Sequence, residues 1–294
     1  MFEIVNVPDS FMDTGLISNY PPHQKTTNIE AKFFDFVKKS KSVESNLKYI
    51  PIQWTNYLVK NNKDGKHNLE KIVKEVVDSK NNYHFTVVQY DGGPLVEIDN
   101  CIIFSCGGMF NTKMGRNTSF IPIPLLSDTH NSNTGKKKKY LASFNGRNTH
   151  PIRQSLYDSL YGMDGFRINL SDKNSIGKFD ERRFKKELNQ SYFSICPRGY
   201  GPASFRFYES FDLGAVPVYV SDEFHLPFTE LIDWNKLCIL VKPNEIETIP
   251  KKLNSLLGSN NYFEMIEYGR YCSEKYFTYE FTIEYIMKII TKRQ

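Results

Sequence analysis

The sequence predicts an α/β fold made of two Rossmann-like domains with parallel sheets, on three observations. Short apolar runs of strand length alternate with segments of helical period along most of the chain, and such alternation is typical of parallel sheets with crossover helices. A polar stretch over residues 127–139, ending in four lysines, separates two such halves. The length of 294 residues suits one large domain or two of moderate size, and the polar break favours two.

In the first half, two helices and a strand precede a run of strands. Residues 1–28 contain Pro8, Pro21 and Pro22 and are predicted to be irregular. Apolar residues recur at helical spacing through residues 68–79. The predicted order is a helix over 29–37, a strand over 47–52, a helix over 68–79, and strands over 84–90, 101–105 and 119–123.

The second half repeats the alternation and ends in helices. The predicted strands cover 140–144, 191–196, 215–220 and 237–241, and the predicted helices cover 152–161, 179–189, 204–213, 246–257, 261–276 and 281–290. Gly214 is expected to end the helix over 204–213. The predicted domains are therefore residues 1–135, residues 136–275, and a C-terminal helix over 276–294 that packs back on the first domain.

Composition excludes several classes of protein. The net charge of +5 is modest, so the basic run over 136–139 is interpreted as a solvated loop and no nucleic-acid partner is expected. The five cysteines form no Cys-x-x-Cys pair, which predicts no zinc site. No long apolar run and no signal-peptide pattern occurs, so the sequence predicts a soluble, cytoplasmic protein with no integral membrane segment. The oligomeric state is left open.

The most informative segment is residues 196–209, which read CPRGYGPASFRFYE. It forms a predicted turn between a buried strand and a helix. Gly199 and Gly201 allow a tight turn and a close approach of the backbone to a ligand, and Ser204 can cap the helix that follows. The free N–H groups and the positive dipole end of a helix N-terminus make this turn a candidate anion site.

Three charged residues in this segment sharpen the interpretation. Arg198 and Arg206 offer guanidinium groups with a geometry suited to phosphate. Glu209 follows Arg206 by three residues on one helix face, and its carboxylate can accept hydrogen bonds from the two hydroxyls of a ribose. The alternative is a structural turn with a surface ion pair between Arg206 and Glu209. The whole constellation favours a nucleoside diphosphate site.

Linked motifs across residues 119–255 resemble the exostosin family of glycosyltransferases. Residues 191–199 read SYFSICPRG, residues 204–210 read SFRFYES, and residues 214–220 read GAVPVYV. Family members carry a similar order of Cys-Pro-Arg-Gly, Ser-x-Arg-x-x-Glu and Gly-x-x-Pro-Val. Residues 140–147 and Arg153 look like the family's entry into its C-terminal domain, and the resemblance is much weaker before residue 119.

The resemblance implies a GT-B fold, in which two Rossmann-like domains face an interdomain cleft and the C-terminal one binds a UDP-sugar. It also implies an inverting reaction that forms a β-linkage on a glycan acceptor and that needs no metal or other cofactor, in agreement with the absence of Asp-x-Asp. Arg198, Arg206 and the loop from Gly199 to Ser204 would then hold the diphosphate. Arg147 and Arg153 are further candidates for it, and Glu209 would hold the ribose.

No extra cation for a uronate is evident in the sequence, so a neutral pentose, xylose first, is the expected sugar. The alternative function is a catalytically inactive exostosin-like partner or glycan-binding subunit. A kinase-like function is excluded because no Gly-Lys-Ser/Thr loop occurs. The short length and a bias towards Asn, Lys, Ile, Tyr and Phe favour a compact viral or microbial member.

The general base is expected in the N-terminal half. Asp91 follows a predicted strand and precedes Gly92 and Gly93, at the sheet edge where sites form in open α/β folds. An aspartate before glycine is equally typical of an ordinary turn. Glu97, Asp99 and His23 are the alternative bases.

Overall fold

The α/β class with two parallel sheets is confirmed. The structure is a computed structural model, and it describes residues 3–16, 24–40, 45–109, 112–130, 137–172 and 181–292. Its described strands form two five-stranded sheets, and every neighbouring pair runs parallel. The chain divides into two compact units: unit 1 is Met1–Leu126 with Thr278–Gln294, and unit 2 is Ser127–Phe277. The sequence division, by comparison, lay after residues 135 and 275.

In unit 1 the strands of the sheet follow the order of the chain, β1-β2-β3-β4-β5. The strands are β1 (Glu3–Ile4), β2 (Leu47–Tyr49), β3 (Tyr83–Val88), β4 (Cys101–Ser105) and β5 (Ser119–Pro122), and the helices are α1 (Ile29–Lys39), α2 (Trp54–Val76) and α9 (Tyr279–Lys292). β3 is buried along nearly its whole length and β4 along all of it, as expected for parallel strands covered on both faces.

Two elements of unit 1 differ from the sequence prediction. β1 lies in the segment predicted to be irregular, and it pairs Glu3 with Lys48 and Ile4 with Tyr49; two residues are too short for a periodic signal. Helix α2 begins at Trp54, well before the predicted start at residue 68. The polar residues 60–68 interrupt its apolar period, so the pattern showed only its second half.

In unit 2 the sheet has the order β10-β9-β8-β6-β7. The strands are β6 (Tyr140–Arg147), β7 (Phe166–Ser171), β8 (Ser191–Pro197), β9 (Val216–Val220) and β10 (Ile239–Val241), and the helices are α3 (Pro151–Leu160), α4 (Glu181–Asn189), α5 (Phe205–Asp212), α6 (Trp234–Leu237), α7 (Ile249–Leu257) and α8 (Asn260–Lys275). Strand β7 was not predicted. It is largely half-buried or exposed, and it therefore lacks the continuous apolar run of a buried strand.

Two other predictions about local structure are confirmed in part. Gly214 follows α5 with a φ of 67°, the left-handed conformation that favours glycine at the end of a helix. The fully buried β9 matches the predicted strand over 215–220.

Among the helices that the structure describes, none is both long and apolar enough to cross a membrane.

Candidate functional site

The informative segment lies at the carboxyl edge of the unit 2 sheet. From β6 the chain first adds β7 on one side and then β8 on the other, so the direction of winding reverses between β6 and β8. Ligands of open α/β sheets bind beyond the carboxyl ends of the strands at such a reversal. Arg198 and Gly199 directly follow β8, and Arg147 ends β6. The candidate donor residues therefore flank the point where the fold class places a ligand.

Arg198 is held at this edge by both strand ends and by an ion pair. Its backbone N–H donates to the carbonyl of Val220 at 2.9 Å, and its guanidinium Nη1 donates to Oδ1 of Asp222 at 2.5 Å. Partial burial would raise the pKa of Asp222, but the hydrogen bond and the charge of Arg198 hold it below its ordinary value. The Arg198 side chain is 6% exposed and that of Asp222 is 52% exposed. The pair therefore presents a fixed guanidinium beside a solvated carboxylate.

Arg153 braces the two strand ends. From α3 its guanidinium donates to the carbonyl oxygens of Arg147 at 2.9 Å, Arg198 at 2.8 Å and Pro197 at 3.2 Å. Gly199 lies against it, and a Cβ on Gly199 would be 3.0 Å from Arg153 Nη2. Gly199 does not have a positive φ, so this close contact with Arg153, and not the backbone conformation, is what favours glycine here. Arg153 thus fixes the loops across the reversal point.

The same edge carries further cationic side chains. Arg147 is exposed, and Nζ of Lys242 donates to the carbonyl of Asp222 at 2.8 Å. His150 occupies the N-cap of α3; burial lowers its pKa, and the charges of Arg198 and Arg153 act in the same direction against the opposing effect of Asp222. These cationic groups could attract an anionic ligand, although the carboxylate of Glu245 also lies at this edge, where it accepts from the backbone N–H of Lys242 at 3.0 Å.

Arg206 has different surroundings from Arg198. As the second residue of α5 it places its guanidinium carbon 5.1 Å from the ring centre of Phe144 and 4.8 Å from that of Phe184. Its Nη2 donates to the carbonyl of Asn145. Burial lowers the pKa of Arg206, and the neighbouring Cys196, Glu209 and Glu187 oppose that effect. The guanidinium is thus packed between two aromatic faces.

Glu209 is buried and bonded to a segment that the sequence analysis treated as a polar break. Its side chain is 5% exposed, and Oε1 lies 3.2 Å from Nε2 of His130 and 3.2 Å from Oγ of Ser127. The backbone N–H of His130 donates to Oδ2 of Asp212, one helical turn further along α5. His130 is therefore a candidate that the sequence missed. No local pattern could reveal it, because 79 residues separate it from Glu209.

The loop between Gly199 and α5 is closed by its own backbone. The N–H of Gly199 donates to the carbonyl of Gly201 at 3.1 Å. Ser204 occupies the N-cap position of α5 in an extended conformation, but its side chain makes no cap hydrogen bond. The expectation that the Ser204 hydroxyl caps this helix is therefore wrong, and the first turn of α5 is not closed by that side chain.

In unit 1, Asp91 lies in the turn after β3 and is half-buried. Among the alternative bases, Glu97 pairs with Lys113 at 3.2 Å and Asp99 with Arg116 at 2.9 Å. His23 lies outside the described residues. Asp91 therefore stays the candidate at the carboxyl edge of this sheet, and its role as base stays a prediction.

The turn that carries Asp91 is packed against Gly107, which follows β4. A Cβ on Gly107 would lie 2.5 Å from Cα of Asp91 and 2.7 Å from the carbonyl oxygen of Tyr90. We expect Gly107→Ala to destabilise unit 1 by more than about 2 kcal/mol, because backbone atoms must move. Chemical denaturation measures this change. Gly258→Ala is the control, since nothing lies within 4 Å of that Cβ; equal stability of the two variants would contradict the packing.

Unit 1 contains a carboxyl that the sequence analysis missed. Glu30 of α1 is fully buried. Its Oε1 accepts from the N–H of Gln89 and from Oγ1 of Thr55, both at 2.6 Å, and its Oε2 accepts from the N–H of Thr55 at 3.0 Å. Burial raises the pKa of Glu30 from 4.5 to about 7, against the effect of these hydrogen bonds. Glu30 joins the start of α2 to the end of β3.

A groove of about 890 Å³ lies elsewhere in unit 2, beside the amino end of β10 and helices α7 and α8. Its lining includes Lys236, Lys252, Glu264 and Tyr268. None of the candidate donor residues lines it. Ligands in this fold class occupy the opposite, carboxyl edge, so we do not assign the donor site to this groove.

Within the described residues, no group of three or more His, Cys, Asp or Glu side chains is arranged to hold a metal ion.

Comparison with known protein families finds a match over most of the chain. The model of the exostosin GT47 domain matches residues 45–256. An exostosin-1 homolog of Caenorhabditis elegans is 34% identical over 117 residues, which are 40% of this chain and 30% of that protein. A probable glucuronoxylan glucuronosyltransferase of Arabidopsis thaliana is 34% identical over 77 residues, 26% of this chain and 16% of that protein. The aligned stretches thus span less than a third of these relatives.

The solved structures that match this chain have a lower sequence identity to it than these relatives have. The GtfA/B complex has a TM-score of 0.46 at 10% identity, covering 92% of this chain and 62% of that chain. The pneumococcal O-GlcNAc transferase GtfA in complex with UDP and GlcNAc has a TM-score of 0.44 at 10% identity, covering 90% of this chain and 60% of that chain.

Proposed function

This chain belongs to the exostosin GT47 family, and on that premise we propose that it is an inverting glycosyltransferase that uses a UDP-sugar and a glycan acceptor. One observation carries the proposal. Arg198 is fixed by Asp222 and by the backbone of Val220 at the reversal point of the unit 2 sheet, where a nucleotide diphosphate would bind in this fold class.

In the proposed reaction, a hydroxyl oxygen of the acceptor forms a bond to the anomeric carbon while Asp91, the proposed base, takes the hydroxyl proton. The bond from that carbon to the phosphate oxygen breaks, and its electron pair leaves with UDP. Attack from the face opposite UDP inverts the configuration and gives a β-linkage. Arg198 would stabilise the charge that develops on the leaving diphosphate. Arg153 would act on the same loops through the carbonyl groups that it holds.

Arg206 and Glu209 have different proposed roles. The packing of Arg206 between Phe144 and Phe184 supports an electrostatic contribution from beneath the loop, and the direct phosphate contact of the sequence hypothesis stays a prediction. Glu209 is the proposed ribose ligand. Gly199 and Gly201 would let backbone N–H groups approach the diphosphate, and Arg147 is an exposed cation at the same edge.

Xylose is the first sugar we propose, since its neutral ring needs no counter-charge. Glucuronate is the second candidate. It is favoured by the exposed Arg147, which could pair with a carboxylate, and by the naming of a relative as a probable glucuronosyltransferase. A compact viral or microbial enzyme with metal-independent chemistry is part of the same proposal.

A panel of UDP-sugars tests the function. UDP is expected to raise the melting temperature, because ligand at 100 times its Kd adds about 2.7 kcal/mol of stability. UDP-xylose, UDP-glucuronate, UDP-galactose and UDP-glucose are then compared by release of UDP, with and without EDTA. Turnover that EDTA does not reduce is expected. UDP binding without turnover of any sugar would favour the inactive partner, and absence of UDP binding would refute the donor site.

Asp91→Asn is expected to retain UDP affinity and to lower turnover by about 100-fold or more, because the amide cannot accept the acceptor proton. The measurement is turnover with the preferred donor, together with the Kd of UDP. Asp35→Asn is the matched control, since Asp35 is an exposed aspartate of α1 in the same unit and is not among the candidate bases. Normal turnover in Asp91→Asn would remove Asp91 as the base and leave the donor site untouched.

A further inference from the structure

We propose that His130 is a positioning residue for Glu209, holding its carboxylate in the orientation that binds the ribose hydroxyls of the donor nucleotide. This inference rests on the proposed function, because it assigns His130 a role through a residue of the proposed donor site. His130 lies in a segment that no sequence motif marks.

The contact is buried and made by two donors. Nε2 of His130 lies 3.2 Å from Oε1 of Glu209, with 1% and 5% of the two side chains exposed. The Ser127 hydroxyl donates to the same oxygen at 3.2 Å. A hydrogen bond to a carboxylate oxygen requires the proton on Nε2. Two donors on one oxygen fix the plane of the carboxylate and thereby the direction of the other oxygen.

His130 is itself held from several sides. Its backbone N–H donates to Oδ2 of Asp212 at 3.1 Å, so both acidic residues of α5 bond to this residue. Its ring lies 6.0 Å from that of Phe184, and Phe184 also lies over the guanidinium of Arg206. The imidazole, the Glu209 carboxylate and the Arg206 guanidinium therefore belong to one packed cluster at the start of α5, and a shift of His130 would be transmitted to Glu209.

A purely structural contact would have different consequences from a positioning role. A structural histidine contributes stability but does not affect how the protein distinguishes one nucleotide from another. A positioning histidine sets the direction of the carboxylate that recognises the ribose. Loss of His130 should therefore lower the affinity for UDP, which has both ribose hydroxyls, more than the affinity for 2′,3′-dideoxy-UDP, which has neither.

His130→Gln and His130→Asn form the test pair. The Gln side-chain nitrogen is separated from Cβ by three bonds, as is Nε2 of His, whereas that of Asn is one bond closer and falls short of Glu209. Both variants keep a polar amide, so their folding can be compared by melting temperature. Affinities for UDP and 2′,3′-dideoxy-UDP are measured by calorimetry on the full chain, with Glu209→Gln as reference.

The wild type is expected to prefer UDP over 2′,3′-dideoxy-UDP by at least about tenfold, and His130→Asn to lose most of that preference, since hydrogen bonds to a charged group are stronger than those between neutral groups. His130→Gln should recover it. If His130→Asn keeps the preference while Glu209→Gln loses it, the inference is overturned and the ribose role of Glu209 stands. If the wild type binds both nucleotides equally, the ribose role and this inference fall together. Should His130→Asn not fold, Ser127→Ala takes its place with the same criterion.

Discussion

Arg198→Ala is expected to lower the affinity for UDP by about 100-fold or more, since charge-assisted hydrogen bonds to phosphate are among the strongest in proteins. The Arg198 side chain is 6% exposed and is aligned by the ends of β8 and β9, so its position is fixed before UDP binds. Turnover should fall at least as far, because the same charge would stabilise the leaving diphosphate. Calorimetry with UDP and a UDP-release assay measure the two effects.

The fold should survive this substitution. The carboxylate that loses its partner, Asp222, is 52% exposed, so water can solvate it and no buried charge is left uncompensated. Arg270→Ala is the matched control, because it removes the same charge from an exposed side chain of α8 in the same unit. A folded Arg198→Ala protein with the UDP affinity of the wild type would refute the donor site proposed at this edge.

Glu30→Gln is expected to remove a dependence of stability on pH. The pKa of Glu30 is raised by burial from 4.5 to about 7, so the folded state binds a proton more tightly than the unfolded state. Its contribution to the free energy of unfolding is therefore fully present below pH 4.5 and is lost as the pH rises through 7. The loss should amount to about 3 kcal/mol, because each tenfold change in proton affinity corresponds to about 1.4 kcal/mol.

The measurement is urea denaturation of wild type and Glu30→Gln between pH 4.5 and pH 8. Trp54 is a suitable probe of unit 1, since it is fully buried there and its indole N–H donates to Thr86 at 2.8 Å. Both proteins should carry Trp234→Phe, because the second tryptophan lies in unit 2. Parallel stability curves for the two proteins over this range would show that the Glu30 pKa is not raised.

Patterns local in the chain predicted most of the fold. The spacing of apolar residues identified β3, β4, β8 and β9, because parallel strands buried on both faces need continuous apolar runs. Gly214 marked the end of α5 because a left-handed residue there favours glycine. Local patterns failed where burial was partial, as in β7, or where polar residues interrupted the apolar period of a helix, as residues 60–68 do in α2.

The candidate site likewise has features that the sequence predicts and features that only the structure shows. By itself the sequence determined the family, the α/β class and the strand-to-helix turn that carries Arg198, Gly199 and Glu209, since each depends on neighbours in the chain. Only the tertiary structure decided that Arg206 lies between two phenyl rings, that Arg153 braces two strand ends, and that His130 bonds to Glu209. These contacts join residues far apart in the chain. Their geometry follows from how helices and strands pack, and no local pattern of residue types encodes it.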